Sequence, residues 1–354
     1  NVDVPSDTAV YRYVSTENQS FVLVMTERST HIFQLPSYDV IAETVARFNQ
    51  AVSDLMQIPD DLQDAIETIL PLDPIKNTAI QNIVIIADGA LHHLPFASLK
   101  ADLGEGRLEF LISRYAILYS YSIADYLDNR EIPAVETDLS IAAFADPALG
   151  DALGQFPRLT KTRDEVDAIK NAFPNADYSI AMDHHANSQF LMSKQTRQST
   201  ILHISTHGYY NPAFPDIVGL VTSPSDGSDP TGFLSLSELL GFPVSSKLVV
   251  IAGCETTLGK SYKSAGVNSM SRGFVSQGAE SVLATLWPIQ DKASSLFMVQ
   301  FYQNLAQSNG DASKALQKTQ VQFSQRGRYK QPKYWSGFVL YANNKSSAQI
   351  QTSI

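Results

Sequence analysis

Apolar β-forming runs recur along this 354-residue chain, with helix-length segments between them. NIVIIAD (82–88) and LSIAAFAD (139–146) are continuous apolar runs, the kind buried on both faces of a parallel sheet. STILHIST (199–206), KLVVIAG (247–253) and ESVLATLW (280–287) read as three more strands, and YAILYSYS (115–122) and GFVLYA (337–342) as two others. Parallel neighbours need a crossover, usually a helix. RDEVDAIKNAF (163–173), NSMSRGFVSQGA (268–279) and the amphipathic stretches 291–307 and 311–326 supply such segments. The alternation predicts an α/β fold, a parallel-dominated sheet flanked by helices, with right-handed crossovers.

The pattern also starts twice. Residues 9–34 read as two or three strands, with SFVLVMTERSTHIFQL as a hairpin. Residues 38–70 read as helical with a break at IPDD, where Asp60 can cap a second helix. NREIPAVETD (129–138) has no periodicity and reads as a linker, after which strand and helix resume. We divide the chain into an N-terminal half (1–135), a C-terminal half (136–345) and a polar tail (346–354).

Composition narrows the function classes. Hydrophobic residues make up 44% and charged residues 18%, which are globular values. A net charge of −10 argues against direct nucleic-acid binding, since phosphate contacts need a basic surface, and suits a basic peptide partner. The single cysteine excludes an internal disulfide or a Cys-rich metal site, and a free thiol suits a reducing, cytoplasmic compartment. No apolar stretch reaches the roughly 18 residues of a membrane span, and no signal peptide is visible. No P-loop or H-E-x-x-H motif occurs, so no cofactor or metal is expected. The chain starts at Asn1, which reads as a fragment of a longer protein.

In open parallel sheets, functional residues gather at the carboxyl ends of strands. LHISTHG ends its strand at His207 and Gly208, and LVVIAGCE ends its strand at Gly253 and Cys254, 47 residues after His207. A His and a Cys on adjacent strand ends can form a thiol nucleophile with its acid/base. Buried thiols nevertheless outnumber nucleophiles, so on spacing alone Cys254 is either a core residue or a nucleophile. His203 shares a face with Ser205 and His207 by strand alternation, which suits packing beneath the site. His92 and His93 have no nucleophile or ligand set nearby and read as structural. His184 and His185 fall in a polar loop.

ILHISTHG, AGCETTLG, SMSRGFVSQGAESVLATLWPIQDKASSLFMVQFYQNL and YWSGFVLYA resemble, in that order, motifs of the CHAT family. These are caspase-like, clan CD cysteine peptidases related to separase, often carried behind tetratricopeptide repeats. IVIIADGALHHLPFASL, FLISRYAILYSYSIADYL and FADPALG are also similar to CHAT signatures, so the resemblance covers nearly the whole chain. One departure is AGCETT, with glycine where Ser-Ala or a similar pair often precedes the cysteine.

The resemblance implies a caspase-like fold, with a pseudo-peptidase half lacking its own dyad followed by an active peptidase half. It implies that Cys254 attacks the scissile carbonyl, that His207 protonates the leaving amine, and that the N–H groups of Gly208 and Cys254 form the oxyanion hole. Both catalytic side chains are then expected at strand ends and at least partly accessible. LATLWPIQDKA is similar to the separase segment that closes the specificity pocket. That implies Trp287 as a wall and Asp291 as the partner of a substrate Arg, although an Asp before a helical run also suits an N-cap. Asp146 either contributes to the pocket or is a turn residue before Pro147. Residues 211–233, rich in Pro, Gly, Ser and Asp, would form a groove loop that reorganises on activation. The implied function is a cysteine endopeptidase acting on a protein after a basic residue, with no cofactor and with repeats or a regulatory partner outside this chain. The alternatives are a silent scaffold that binds a protein through the same groove, or another thiol enzyme such as an acyltransferase.

Overall fold

The apolar runs join into one eleven-stranded sheet. The computed structural model describes residues 4–76, 78–103, 106–127, 139–149, 156–210, 218–225, 229–239, 241–252, 260–262, 266–268, 270–325 and 327–342. The first half gives β1 (Thr8–Ser15), β2 (Ser20–Met25), β3 (Thr30–Leu35), α1 (Tyr38–Ser53), α2 (Asp60–Ile69), β4 (Asn82–Ile86), β5 (Lys100–Asp102), β6 (Leu108–Phe110), β7 (Ala116–Tyr119) and α3 (Ile123–Leu127). The second half opens with β8 (Ser140–Pro147), α4 (Thr162–Ala172), β9 (Asp177–Asp183), α5 (Ser188–Met192), α6 (Lys194–Arg197), β10 (Ile201–Ser205), β11 (Gly208–Tyr210), β12 (Val218–Val221) and β13 (Phe233–Ser235). It continues with α7 (Leu236–Leu239), β14 (Leu248–Ile251), β15 (Lys260–Tyr262), β16 (Gly266–Asn268), α8 (Met270–Ser276), β17 (Ser281–Thr285), α9 (Asp291–Gln307), α10 (Ala312–Gln325) and β18 (Phe338–Ala342).

The strand order is β3-β2-β1-β4-β7-β18-β17-β14-β10-β8-β9. Strands β8, β9, β10, β14 and β17 are mutually parallel. β18 turns antiparallel to β17, and β7, β4 and β1 run with β18. Strand direction therefore reverses between the two blocks. The carboxyl ends of β8, β9, β10, β14 and β17 gather on one sheet edge, and those of β1, β4, β7 and β18 on the opposite edge. A site at strand ends is accordingly built by the second half alone. The blocks are joined through β7 and β18, where Tyr121 stacks on Tyr341 at a centroid distance of 4.7 Å and Ser120 Oγ donates to the Ala342 carbonyl at 3.4 Å.

Most elements lie where the periodicity puts them, within the few residues by which ends differ. Among the strands of the main sheet β9 is the exception, because DYSIAMD carries no strong apolar run. It is the sheet's last strand, paired only with β8 and largely half-exposed, so it needs less apolar surface. Helix α2 is capped at Pro59 rather than by Asp60. Asp60 and Asp61 instead occupy the first turn, where carboxylates meet the positive end of the helix dipole. Helix α9 packs between α4 and α10, burying Phe297, Phe301 and Tyr302.

A small antiparallel sheet, β11-β12-β13, stands off the main sheet. At Gly219 in β12, an added Cβ would lie 2.4 Å from the Phe233 ring and 2.5 Å from the Leu234 carbonyl oxygen. Backbone cannot step aside as a side-chain tip can. Gly219→Ala is expected to cost about 1–3 kcal/mol of stability by overpacking, measured by urea unfolding. An unchanged midpoint would mean that the small sheet has slack.

Candidate active site

Strand β10 is buried along its whole length and delivers His207 two residues past its end. The turn is held from both sides: Thr206 Oγ1 donates to the Val221 carbonyl at 2.6 Å, and the Val221 N–H donates to the His207 carbonyl at 2.9 Å. That second bond makes Gly208, opposite Leu220, a non-hydrogen-bonded position of the ladder. Its N–H is turned away from β12, on the outer side of the edge strand β11.

The His207 ring is fixed by a residue that sequence reasoning missed. Nε2 lies 2.6 Å from the carbonyl oxygen of Pro157. A carbonyl can only accept, so Nε2 carries the proton, and in the neutral ring Nδ1 presents a lone pair. Phe156 lies over the ring at 5.1 Å between centroids, and His207 keeps only 7% exposure, less than the sequence suggests for an acid/base. Pro157 sits in GQFPRLTKT, a stretch without periodicity. Its contribution is a main-chain oxygen, which leaves no mark on residue type.

Cys254 and Gly253 lie outside the described residues. The strand leading to them is described. β14 pairs with β10 in parallel with Ile204 opposite Ile251, and the Ala252 N–H donates to the Ile204 carbonyl at 2.9 Å. His207 follows Ile204 by three residues, and Cys254 follows Ile251 by three. Of the stretch 211–233 read as a groove loop, residues 211–217 and 226–228 lie outside the described residues, as does the 346–354 tail. Val218–Val221 form strand β12 and Phe233 opens β13, so the small sheet replaces part of the expected loop.

Asp146 is the next-to-last residue of β8, the strand beside β10, with φ at +45°, and the β8–β9 ladder shifts register there. A left-handed Asp before proline is strained on two counts. The side chain is wholly buried and engaged by two cations. Arg158 donates Nε to Oδ1 at 2.7 Å and Nη2 to Oδ2 at 3.0 Å, and Arg163 donates Nε to Oδ2 at 2.5 Å. Both Arg side chains also reach Asp183, which ends β9 with φ at +53°. Arg163, with Arg158, holds the Asp183 carboxyl below its usual range.

Asp291 is the first residue of α9. The N-cap is Gln290, which makes no side-chain capping bond. Burial pushes the half-buried Asp291 carboxyl above its usual range, opposed by the charges of His207 and Lys161 and by a main-chain hydrogen bond from Lys161. Asp291 therefore stands within electrostatic reach of His207.

Beneath them lies a buried polar group. Tyr302 OH meets His203 Nδ1 at 2.9 Å, and His203 Nε2 faces Glu165 Oε2 at 3.1 Å, an approach too poorly directed to count as a hydrogen bond. Glu165 occupies the apolar stripe of α4 with Thr162, Val166 and Ile169, and a charged residue at such a position was a readable signal. Burial pushes its carboxyl up, opposed by His203 and Ser205 and reinforced by the Asp291 charge. A carboxyl raised in the folded state contributes stability at low pH, and that contribution is lost as pH rises above the unfolded value of 4.5. Glu165→Gln keeps the shape without the ionisation. It is expected to gain on the wild type in urea unfolding as pH rises from 4 towards 8. A gain confined to pH 4 would contradict this assignment.

Trp287 points to the first half. Its indole N–H donates to the Lys333 carbonyl at 3.0 Å, and its ring lies so close to Gly337 that a Cβ there would come within 2.8 Å. With Asn49, Val52, His93 and Tyr334 it lines a cavity of about 580 Å³. His92 is buried, and that burial pushes its ring down to about 4, which suits packing. His184 and His185 are exposed after β9. Among the described residues, no group of three or more His, Cys, Asp or Glu is arranged for a metal ion, and no helix is long and apolar enough to cross a membrane.

The mostly parallel sheet with flanking helices has counterparts among solved structures. Saccharomyces cerevisiae separase, solved in complex with securin, superposes with a TM-score of 0.59 over 95% of this chain and 30% of that one, at 12% identity. A second separase–securin structure gives 0.51 over 75% of this chain and 16% of that one, at 16% identity. The chain belongs to the CHAT domain family, which it matches over residues 55–343. It is similar to human tetratricopeptide repeat protein 28, 24% identical over 309 residues, and to the Mus musculus protein of that name, 22% identical over 319. The matches cover 75% of this chain and 12% of either relative.

Proposed function

We propose that this chain is the peptidase part of a longer, repeat-bearing protein and hydrolyses a peptide bond of a protein substrate with Cys254 as nucleophile. The observation that carries the reading is the His207 ring, held with Nε2–H on the Pro157 carbonyl and level with the strand that leads to Cys254. Nδ1 takes the thiol proton as sulfur attacks the scissile carbonyl. The resulting imidazolium returns that proton to the leaving amine, and water then releases the acyl group from sulfur. The N–H groups of Gly208 and Cys254 receive the oxyanion. Asp291, a half-buried carboxyl within electrostatic reach of His207, pairs with Arg or Lys before the cut, and Trp287 stands on the loop leading to it. Asp146 is left out of the pocket because both its oxygens are engaged by arginines. No cofactor enters the reaction.

A thiol-directed peptide probe ending in Arg tests this on the intact chain. Cys254 is the only cysteine, so any thiol adduct is assigned by mass alone. Labelling by the Arg probe, faster than by an Asp probe and lost in His207→Ala, is the expected result. Binding without labelling would instead support the scaffold reading.

A further inference from the structure

Two residues at the ends of neighbouring strands have left-handed backbone, Asp146 next to last on β8 and Asp183 last on β9, and neither is a glycine. Strain of this kind persists only where its surroundings hold it, and it concentrates at functional sites. What these aspartates hold is a pair of arginines 41–46% exposed along their side chains. Arg158 is bound to Asp146 in the two-pronged geometry that fixes direction as well as distance.

Arg158 directly follows Pro157, whose carbonyl orients His207, and Phe156 before them covers the His207 ring. The segment 156–158 therefore has two anchors, the Asp146 carboxylate on β8 and the His207 ring beyond β10. Those strands are neighbours in the sheet. The carbonyl can stay 2.6 Å from Nε2 only while the segment is pinned, and the guanidinium is the pin.

We propose that Asp146 is a positioning residue for His207: through Arg158 it clamps the Pro157 carbonyl against Nε2 and so enforces the tautomer that carries the lone pair on Nδ1. Asp183 and Arg163 brace the clamp from β9 and α4. This deepens the peptidase reading and rests on it for its catalytic consequence, but its structural claim concerns the ring alone.

The test uses the intact chain with nitrogen-labelled histidine, the His207 signals being assigned by their loss in His207→Gln. NMR should show the neutral His207 ring protonated at Nε2. Asp146→Asn tolerates the left-handed backbone, and Arg158→Ala breaks the clamp from the exposed side. Both should yield a mixed tautomer and a fall in kcat on the order of 100-fold, the scale of a catalytic group displaced by about 1 Å. KM should change by less than about threefold, since the groove is untouched. Arg163→Ala loses similar ionic contacts without touching the Pro157 segment and should have a much smaller effect. A wild-type ring protonated at Nδ1, an unchanged tautomer in both clamp variants, or an Arg163→Ala loss equal to that of Arg158→Ala would each overturn the proposal. A tautomer that responds in a wild type that cleaves nothing would leave the clamp standing and remove the peptidase reading.

Discussion

Cys254→Ala and His207→Ala are each expected to lower kcat/KM on a cleavable peptide by at least about a thousandfold, and the double variant to lose little more. Nucleophile and base act as a unit, so removing either removes most of what the pair supplies. The fold should survive in both. Thermal melting beside steady-state kinetics tests the pair. Cleavage that persists in Cys254→Ala would exclude thiol chemistry, since no second cysteine can substitute for the first.

A second large effect is expected at Asp291. A substrate Arg opposite a half-buried carboxylate gains charge-assisted hydrogen bonds, and truncating one partner of such a pair costs about 2–5 kcal/mol. Asp291→Asn should therefore reduce cleavage after Arg by roughly 30-fold or more and leave cleavage after an uncharged residue little changed. The same substitution has a stability signature. Burial raises the Asp291 carboxyl above its usual range, so keeping it ionised costs stability in the folded protein. The stability tied to it is present below the unfolded value of 3.8 and lost as pH rises beyond it. Asp291→Asn should consequently melt no lower than the wild type at pH 7 while losing the Arg preference. Were Asp291 a helix cap, the loss would be about 1 kcal/mol of stability with the preference intact. Matched Arg, Met and Asp peptides, with melting of both proteins, separate the two roles.

Much of this protein is legible along the chain because its information is local. Continuous apolar runs exist only where a strand is covered on both faces, so β4, β8, β10, β14 and β17 announce themselves and the crossover requirement supplies the helices between. β9 escapes notice because the sheet's last strand needs no such run. Gly208 is nameable from its place after a strand, as is His207. Asp291 can be named too, but whether it caps α9 or faces His207 depends on where α4 brings Lys161, and that is a matter of packing.

The order of elements, the strand-end histidine and the one cysteine were thus determined by the sequence, through hydrophobic periodicity and residue chemistry. The tertiary structure decided which sheet edge carries the site, because the reversal at β18 separates the strand ends of the two halves. It decided that Asp146 meets two arginines 12 and 17 residues further along the chain. It also decided that His207 is oriented by a main-chain oxygen 50 residues earlier. Such contacts have no sequence signature, since a carbonyl belongs to every residue and an ion pair forms only once folding has closed the loop between its partners.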